Sequence, residues 1–161
     1  TEKYRFVTMW QAGSIWGSNW FFVGALLPWL VIGFFFAMKR HRLLDIFQLG
    51  DETAISVGIA VKKERIVSLL LAVMLAASAI SVTGGINFLG LLAPHIARKC
   101  GFTQQKQVLP LAALFGSLLL LVSDTIGRLL PGNGEMPAGI IVAIIGAPYF
   151  LYLLIKTSDS L

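Results

Sequence analysis

A single cysteine, Cys100, stands among 161 residues, which excludes a disulfide framework; no Cys-x-x-Cys pair or Cys/His ladder offers a metal site. Charge is scarce as well. Asp, Glu, Lys and Arg make 13% of the chain, about half the ~25% of soluble domains. Against those 13 basic and 8 acidic side chains stands a 57% hydrophobic composition, a balance that argues against a soluble enzyme. The GxxxxGK[ST] phosphate loop is missing, so this chain does not hydrolyse ATP by that route. No nucleophile with an adjacent base stands out, and no catalytic residue, metal or cofactor is expected. The net charge of +5 and pI near 9.7 fit basic residues at a cytoplasmic membrane face, so nucleic acid is not an expected partner.

What the chain does hold is long apolar runs. A bilayer core of ~30 Å needs about 20 apolar helical residues. Trp20 to Met38 carries no charge, has Trp16 and Trp20 as interfacial aromatics at one end and is closed at the other by Lys39-Arg40-His41-Arg42. Ile66 to Ala97 is also free of charge, but as one helix it would measure ~48 Å, too long for one crossing. Gly84-Gly85 is the expected break. The reading is an all-α polytopic helix bundle with about five spans, near 20–38, 66–83, 86–97, 108–128 and 137–155, the third of them short or re-entrant. It places ten of the thirteen Lys/Arg in the cytoplasm, leaving Lys3, Arg5 and Arg128 outside, and it puts the C-terminus inside. The expected location is a cell membrane, crossed several times. An odd number of spans with an outer amino end, and an opening without a signal peptide, read as the second half of a longer protein. Small residues at helical spacing, Ala72/Ala76, Ala112/Gly116 and Gly139/Ala143/Ala147, are expected at helix contacts.

Three places invite a functional reading. The loop 43–65 is too long for a turn and too polar to cross. At its centre Asp51 and Glu52 favour a helix start, Ala54, Ile55 and Val57 give an apolar side, and Gly58 stops it, which predicts a short docking helix. Asp124 and Arg128 share a helix face at i, i+4 near the outer end of the fourth span, where an ionisable group costs up to ~3 kcal/mol and normally meets protein, water or a partner. The turn-rich segment that follows, Leu130 to Pro137 with Glu135, is expected to be an outer gate or docking rim. Gly84, Gly85, Pro94, Asp124 and Pro137 are the structural or gate candidates. His95, alone after Pro94, is read as structural, since zinc needs three or four converging ligands.

Taken together, several stretches resemble one family, the FecCD-type permease subunits of bacterial ABC importers for iron-siderophores, haem and cobalamin. They are Trp10 to Ser14, Leu49 to Gly58, Gly85 to Arg98, Leu109-Pro110, Asp124 to Arg128, Glu135 to Gly139 and Ile145 to Leu151, in order along nearly the whole chain. The resemblance implies about ten spans in a full subunit, of which these are the carboxyl-terminal five. It also implies a second permease subunit, cytoplasmic ATP-binding subunits and a substrate-binding protein on the outer side. By the same resemblance Leu49, Gly50, Asp51, Glu52, Ala54 and Gly58 belong to a coupling helix pair seated on the ATPase, and Arg128 meets an acidic residue of the binding protein, with Glu135 beside it. Trp10 to Gly17 and Pro137-Ala138-Gly139 look most like the ferric siderophore branch of Gram-positive bacteria. The competing class is a proton-coupled transporter or membrane enzyme that uses Asp124, Arg128 and His95 as a relay.

Overall fold

The structure, a computed structural model, describes residues 2–13, 19–129 and 136–158. Among them are eight helices and no strand: α1 (Glu2–Gln11), α2 (Trp20–Lys39), α3 (His41–Gln48), α4 (Asp51–Ser56), α5 (Val61–Thr83), α6 (Leu89–Lys99), α7 (Gln105–Leu129) and α8 (Ala138–Ser158). The chain is all-helical because its long runs are apolar on every side, and a backbone without water must satisfy its own hydrogen bonds. Three helices, α2, α5 and α7, are long and apolar enough to cross a membrane. Basic residues close several helices, Lys39 in α2, Arg98 and Lys99 in α6 and Lys156 in α8, where they complement the negative end of the helix dipole.

Two packing units emerge. α2 and α5 form an antiparallel hairpin. Gly33 leaves room for the Leu75 side chain between them, and toward their Trp20 and Val82 ends they leave an apolar groove of about 570 Å³. The second unit is α6, α7 and α8. Gly116 of α7 lies against Ala93 and Leu89 of α6, and Gly146 of α8 receives Phe88 and Leu92. The contacts of α8 with α6 advance together along both helices, from Gly146 against Phe88 and Leu92, to Tyr149 against His95, to Tyr152 against Lys99. α6 and α8 therefore run parallel, with α7 antiparallel to both.

The buried core is small-sided, with Ala93, Ala97, Val108, Ala138 and Val142 prominent, as expected where association rests on close backbone approach rather than bulky side chains. Of the small residues, Gly116 falls at a helix contact and Gly139 against residues 12 and 13, Ala112, Ala143 and Ala147 are half-buried, and Ala72 and Ala76 are exposed on α5. No α5 residue is buried, and side chains such as Leu69 (63% exposed) and Trp20 (89%) face outward. So much exposed apolar surface would aggregate in water; in a bilayer it faces lipid or other membrane helices.

Two elements differ from the sequence expectation. A helix over Glu2–Gln11 was not anticipated. The helix in the place of the expected third span begins at Leu89 rather than residue 86, because residues 84–87 are non-helical and Phe88 takes a left-handed φ of 67° while its carbonyl accepts the Leu91 and Leu92 amides. α6 is then 11 residues long, ~16 Å, about half a hydrocarbon core. Within a membrane, non-helical backbone is tolerated where protein covers it; here Trp10 to Gly13 cover Gly84 and Gly85.

Candidate functional site

The loop between α2 and α5 folds into two short helices. Arg40 is a one-residue turn after α2, and α3 then runs to Leu49. Gly50, at φ 103°, redirects the chain into α4, whose first turn carries Asp51 and Glu52. α4 ends in a Schellman arrangement: Gly58 has φ 81°, its amide donates to the Ile55 carbonyl at 2.9 Å, and the Ile59 amide donates to the Ala54 carbonyl at 3.0 Å. Ala54 is fully buried, whereas Leu49 (71% exposed), Ile55 and Val57 face outward. The pair thus presents an apolar edge at the membrane end where basic residues gather.

Polar contacts fix this pair to the helices around it. Arg40 Nη1 meets Glu64 Oε2 at 2.8 Å, joining α2 to α5. Arg65 Nη2 meets Asp51 Oδ1 at 2.6 Å, joining α5 to α4, and its guanidinium lies 5.9 Å from the Phe47 ring centroid. Asp45 Oδ1 accepts the Gln105 amide at 2.7 Å, so a side chain of α3 caps α7. Both partners of the Asp51–Arg65 pair are at least half exposed, so it contributes at most about 1 kcal/mol. The cap is of the kind that contributes about 0.5–2 kcal/mol. Sequence reasoning assigned nothing to Asp45 or Glu64 and placed Arg40 only in the basic cluster closing the first span, since their partners lie 24 to 60 positions away.

At the opposite end, four glycines meet. Gly84 (φ 71°) and Gly85 follow α5, Gly13 (φ 76°) follows α1, and Gly139 opens α8. The Gly139 amide donates to the Gly13 carbonyl at 2.8 Å. A Cβ on Gly84 would fall on the Trp10 carbonyl oxygen, and one on Gly139 on that of Ala12. Of the gate candidates, Gly84, Gly85 and Pro137 are therefore at or beside one junction, while Pro94 lies inside α6, away from it. Ser14 to Gly17 and Glu135 lie outside the described residues.

Arg128 Nε donates to Asp124 Oδ2 at 2.7 Å, with the Arg128 side chain 55% exposed and Asp124 more covered. Arg128 thus neutralises Asp124 while its side chain stays about half exposed. His95 packs edge-on to Tyr149 at 5.7 Å between centroids. Its Nε2 and the Tyr149 hydroxyl are buried without hydrogen-bond partners among the described residues. Since Gly116 lies against Ala93, Asp124 stands ~12 Å further along α7 on the side away from His95. The structure does not bring His95 together with Asp124 and Arg128. Among the described residues no three His, Cys, Asp or Glu side chains converge as metal ligands.

Comparison with known proteins agrees with this architecture. An iron(3+)-hydroxamate import system permease protein of Bacillus subtilis (strain 168) is 47% identical over 93% of this chain and 45% of its own length. An Fe(3+) dicitrate transport system permease protein of Escherichia coli (strain K12) is 37% identical over 92% of this chain and 46% of its own. A hemin transport system permease protein of Yersinia pestis is 35% identical over 99% of this chain and 48% of its own. The chain thus spans about half the length of the curated relatives it matches. A solved chain described as an inward-facing metal-chelate type ABC transporter superposes with a TM-score of 0.85 at 27% identity, over 96% of this chain and 50% of that one. These relatives are transport subunits rather than enzymes, and the FecCD transport family matches residues 1–156. The chain belongs to the FecCD transport family.

Proposed function

We propose that these residues form the five-span carboxyl-terminal half of a permease subunit in an ATP-driven importer, with ferric siderophores as the substrate class. The observation that carries this reading is the α3–α4 pair: a compact, glycine-terminated element that exposes Leu49, Ile55 and Val57 and is tied by polar contacts to α2, α5 and α7. A rigid knob of this kind suits a shape-matched seat on a separate ATP-binding subunit. Leu49, Gly50, Asp51, Glu52, Ala54 and Gly58 then build the coupling surface. Asp51 and Glu52 begin α4, Ala54 anchors it, and the two glycines set its turns.

ATP-driven movement of the seat shifts the α3–α4 pair, and the helices above it follow. At the outer end, the junction of Gly13, Gly84, Gly85 and Gly139 holds α1, α5, α6 and α8 at one point, so motion of any of them alters the outer rim. Arg128, with Glu135 in the following segment, is the docking group for an acidic site on a substrate-binding protein. A rim arginine of this kind steers and orients association. The exposed faces of α2 and α5 meet lipid, the other half of the subunit or a second permease subunit. The C-terminus is cytoplasmic, as the distribution of basic residues supports.

The substrate class follows the names of the relatives, whose cargoes include iron(3+)-hydroxamate, ferric dicitrate and hemin. In the full-length subunit, deleting residues 50–57 should leave membrane insertion intact while abolishing co-purification with the ATP-binding subunits and ferric siderophore uptake. Normal co-purification after the deletion would remove the α3–α4 pair from the mechanism.

A further inference from the structure

We propose that Asp45 is a positioning residue that links the α3–α4 pair to α7, so that displacement at the coupling surface reaches the outer rim through one continuous helix. The inference rests on the importer reading above. The first backbone amides of a helix have no partner within the helix, and a capping side chain just before it reaches the second or third of them, leaving the first to water or to a group from elsewhere. In α7 that first amide, of Gln105, donates to a carboxylate sixty positions earlier, at 2.7 Å. Gln104, the residue just before α7, stands in the ordinary N-cap place, where its carbonyl accepts the Gln107 and Val108 amides. The bond is charge-assisted and sits at the positive end of the helix dipole, which makes it stronger than a neutral contact.

The placement gives the bond its consequence. α3 follows α2 after a single turn residue and leads through Leu49 and Gly50 into α4, so a load on α4 arrives at α3 directly. The other polar ties of this region, Arg40 to Glu64 and Arg65 to Asp51, hold α2, α4 and α5 together. Among the described contacts, Asp45 is the polar link from this group to α7. α7 is 25 residues without interruption, ~37 Å of helix. Its far end carries Asp124 and Arg128, and Gly127 there lies against the Met136 carbonyl. A push on α3 therefore passes through one polar contact and the length of α7 to the segment where a binding protein would dock.

The test uses the full-length subunit assembled with its ATP-binding subunits and binding protein in proteoliposomes, comparing wild type, Asp45→Ala and Asp45→Asn. The asparagine keeps an acceptor oxygen without the charge. Asp45→Ala should speed amide exchange in residues 105–108 about fivefold or more, the size expected for a lost cap. It should leave co-purification with the ATP-binding subunits intact and lower the substrate moved per ATP hydrolysed severalfold, and Asp45→Asn should restore most of both. An Asp45→Ala complex that transports as much per ATP as wild type would overturn the role of Asp45 alone. So would a defect that Asp45→Asn does not relieve, or loss of the ATP-binding subunits, which would make Asp45 a structural prop. A wild-type complex that moves no substrate would instead overturn the importer reading and this role with it.

Discussion

Gly139→Ala should destabilise the protein although alanine is the better helix former. On an open helix this substitution gains ~0.5–1 kcal/mol. Gly139 is buried as the second residue of α8, and a Cβ there would fall on the Ala12 carbonyl oxygen and within 3.1 Å of the Gly13 carbonyl oxygen. Both neighbours are backbone, so no rotamer change relieves the contact. Moving residues 12 and 13 away stretches the 2.8 Å bond from the Gly139 amide to the Gly13 carbonyl. It is also resisted by Gly85, whose carbonyl already crowds Gly13. Overpacking costs ~1–3 kcal/mol and a weakened hydrogen bond ~0.5–1.5 kcal/mol. After the gain in propensity, about 2–3 kcal/mol of destabilisation remains, roughly 5–10 °C in Tm for a protein of this size. Thermal unfolding in detergent would measure it, with Gly24→Ala as the control, since nothing lies within 4 Å of a Cβ at Gly24. The control should be neutral or slightly stabilised. If Gly139→Ala raised Tm as the control does, the tight junction at Gly13, Gly84 and Gly139 would be refuted.

Gly58→Ala should cost about 1 kcal/mol or more through its left-handed φ of 81°, read as lower thermal stability, and Gly58→Pro should cost more because it also removes the amide that bonds Ile55. Asp51→Asn should change stability by less than about 1 kcal/mol, since its partnership with Arg65 is exposed; a large loss of Tm would show the pair to be structural. In a background with exposed Cys100 replaced by Ser, cysteines at Lys63 and Gln105 should label from the cytoplasm and one at Asn133 from outside. Labelling of Lys63 and Gln105 from opposite sides would refute the break after Thr83 as a membrane re-crossing. Arg128→Glu should weaken binding-protein docking most at low salt, and reversing the facing acidic residue should restore uptake; normal expression without recovery for every acidic candidate would refute the contact.

The features legible in the sequence were those with local causes. Charge-free length marked α2, α5 and α7, paired glycines marked the break after Thr83, and Asp51 with Gly58 marked the two ends of α4. What stayed hidden depends on distant partners. α1 has few local signals: its sequence lacks a strong apolar face, and its end is held where Trp10 and Gly13 meet Gly84 and Gly139. The start of α6 moved because Phe88 adopts a conformation that a residue with a Cβ rarely takes, with Gly146 giving space to its side chain. Ala72 and Ala76 carry helical small-residue spacing yet face outward, since spacing alone says nothing of which neighbour, if any, is present. Asp45 resembles any polar loop residue until Gln105 is brought beside it.

The central claim is ATP-driven import through a permease to which these residues contribute half, and energy dependence tests it most directly. Uptake of radioactive ferric siderophore would be followed in cells whose own copy of the full-length gene is deleted and then restored. Parallel samples would be depleted of ATP with the proton gradient maintained, or treated with a protonophore with ATP maintained. The account predicts that uptake returns with the gene, stops on ATP depletion and survives the protonophore. Uptake that survives ATP depletion and collapses with the proton gradient would contradict it.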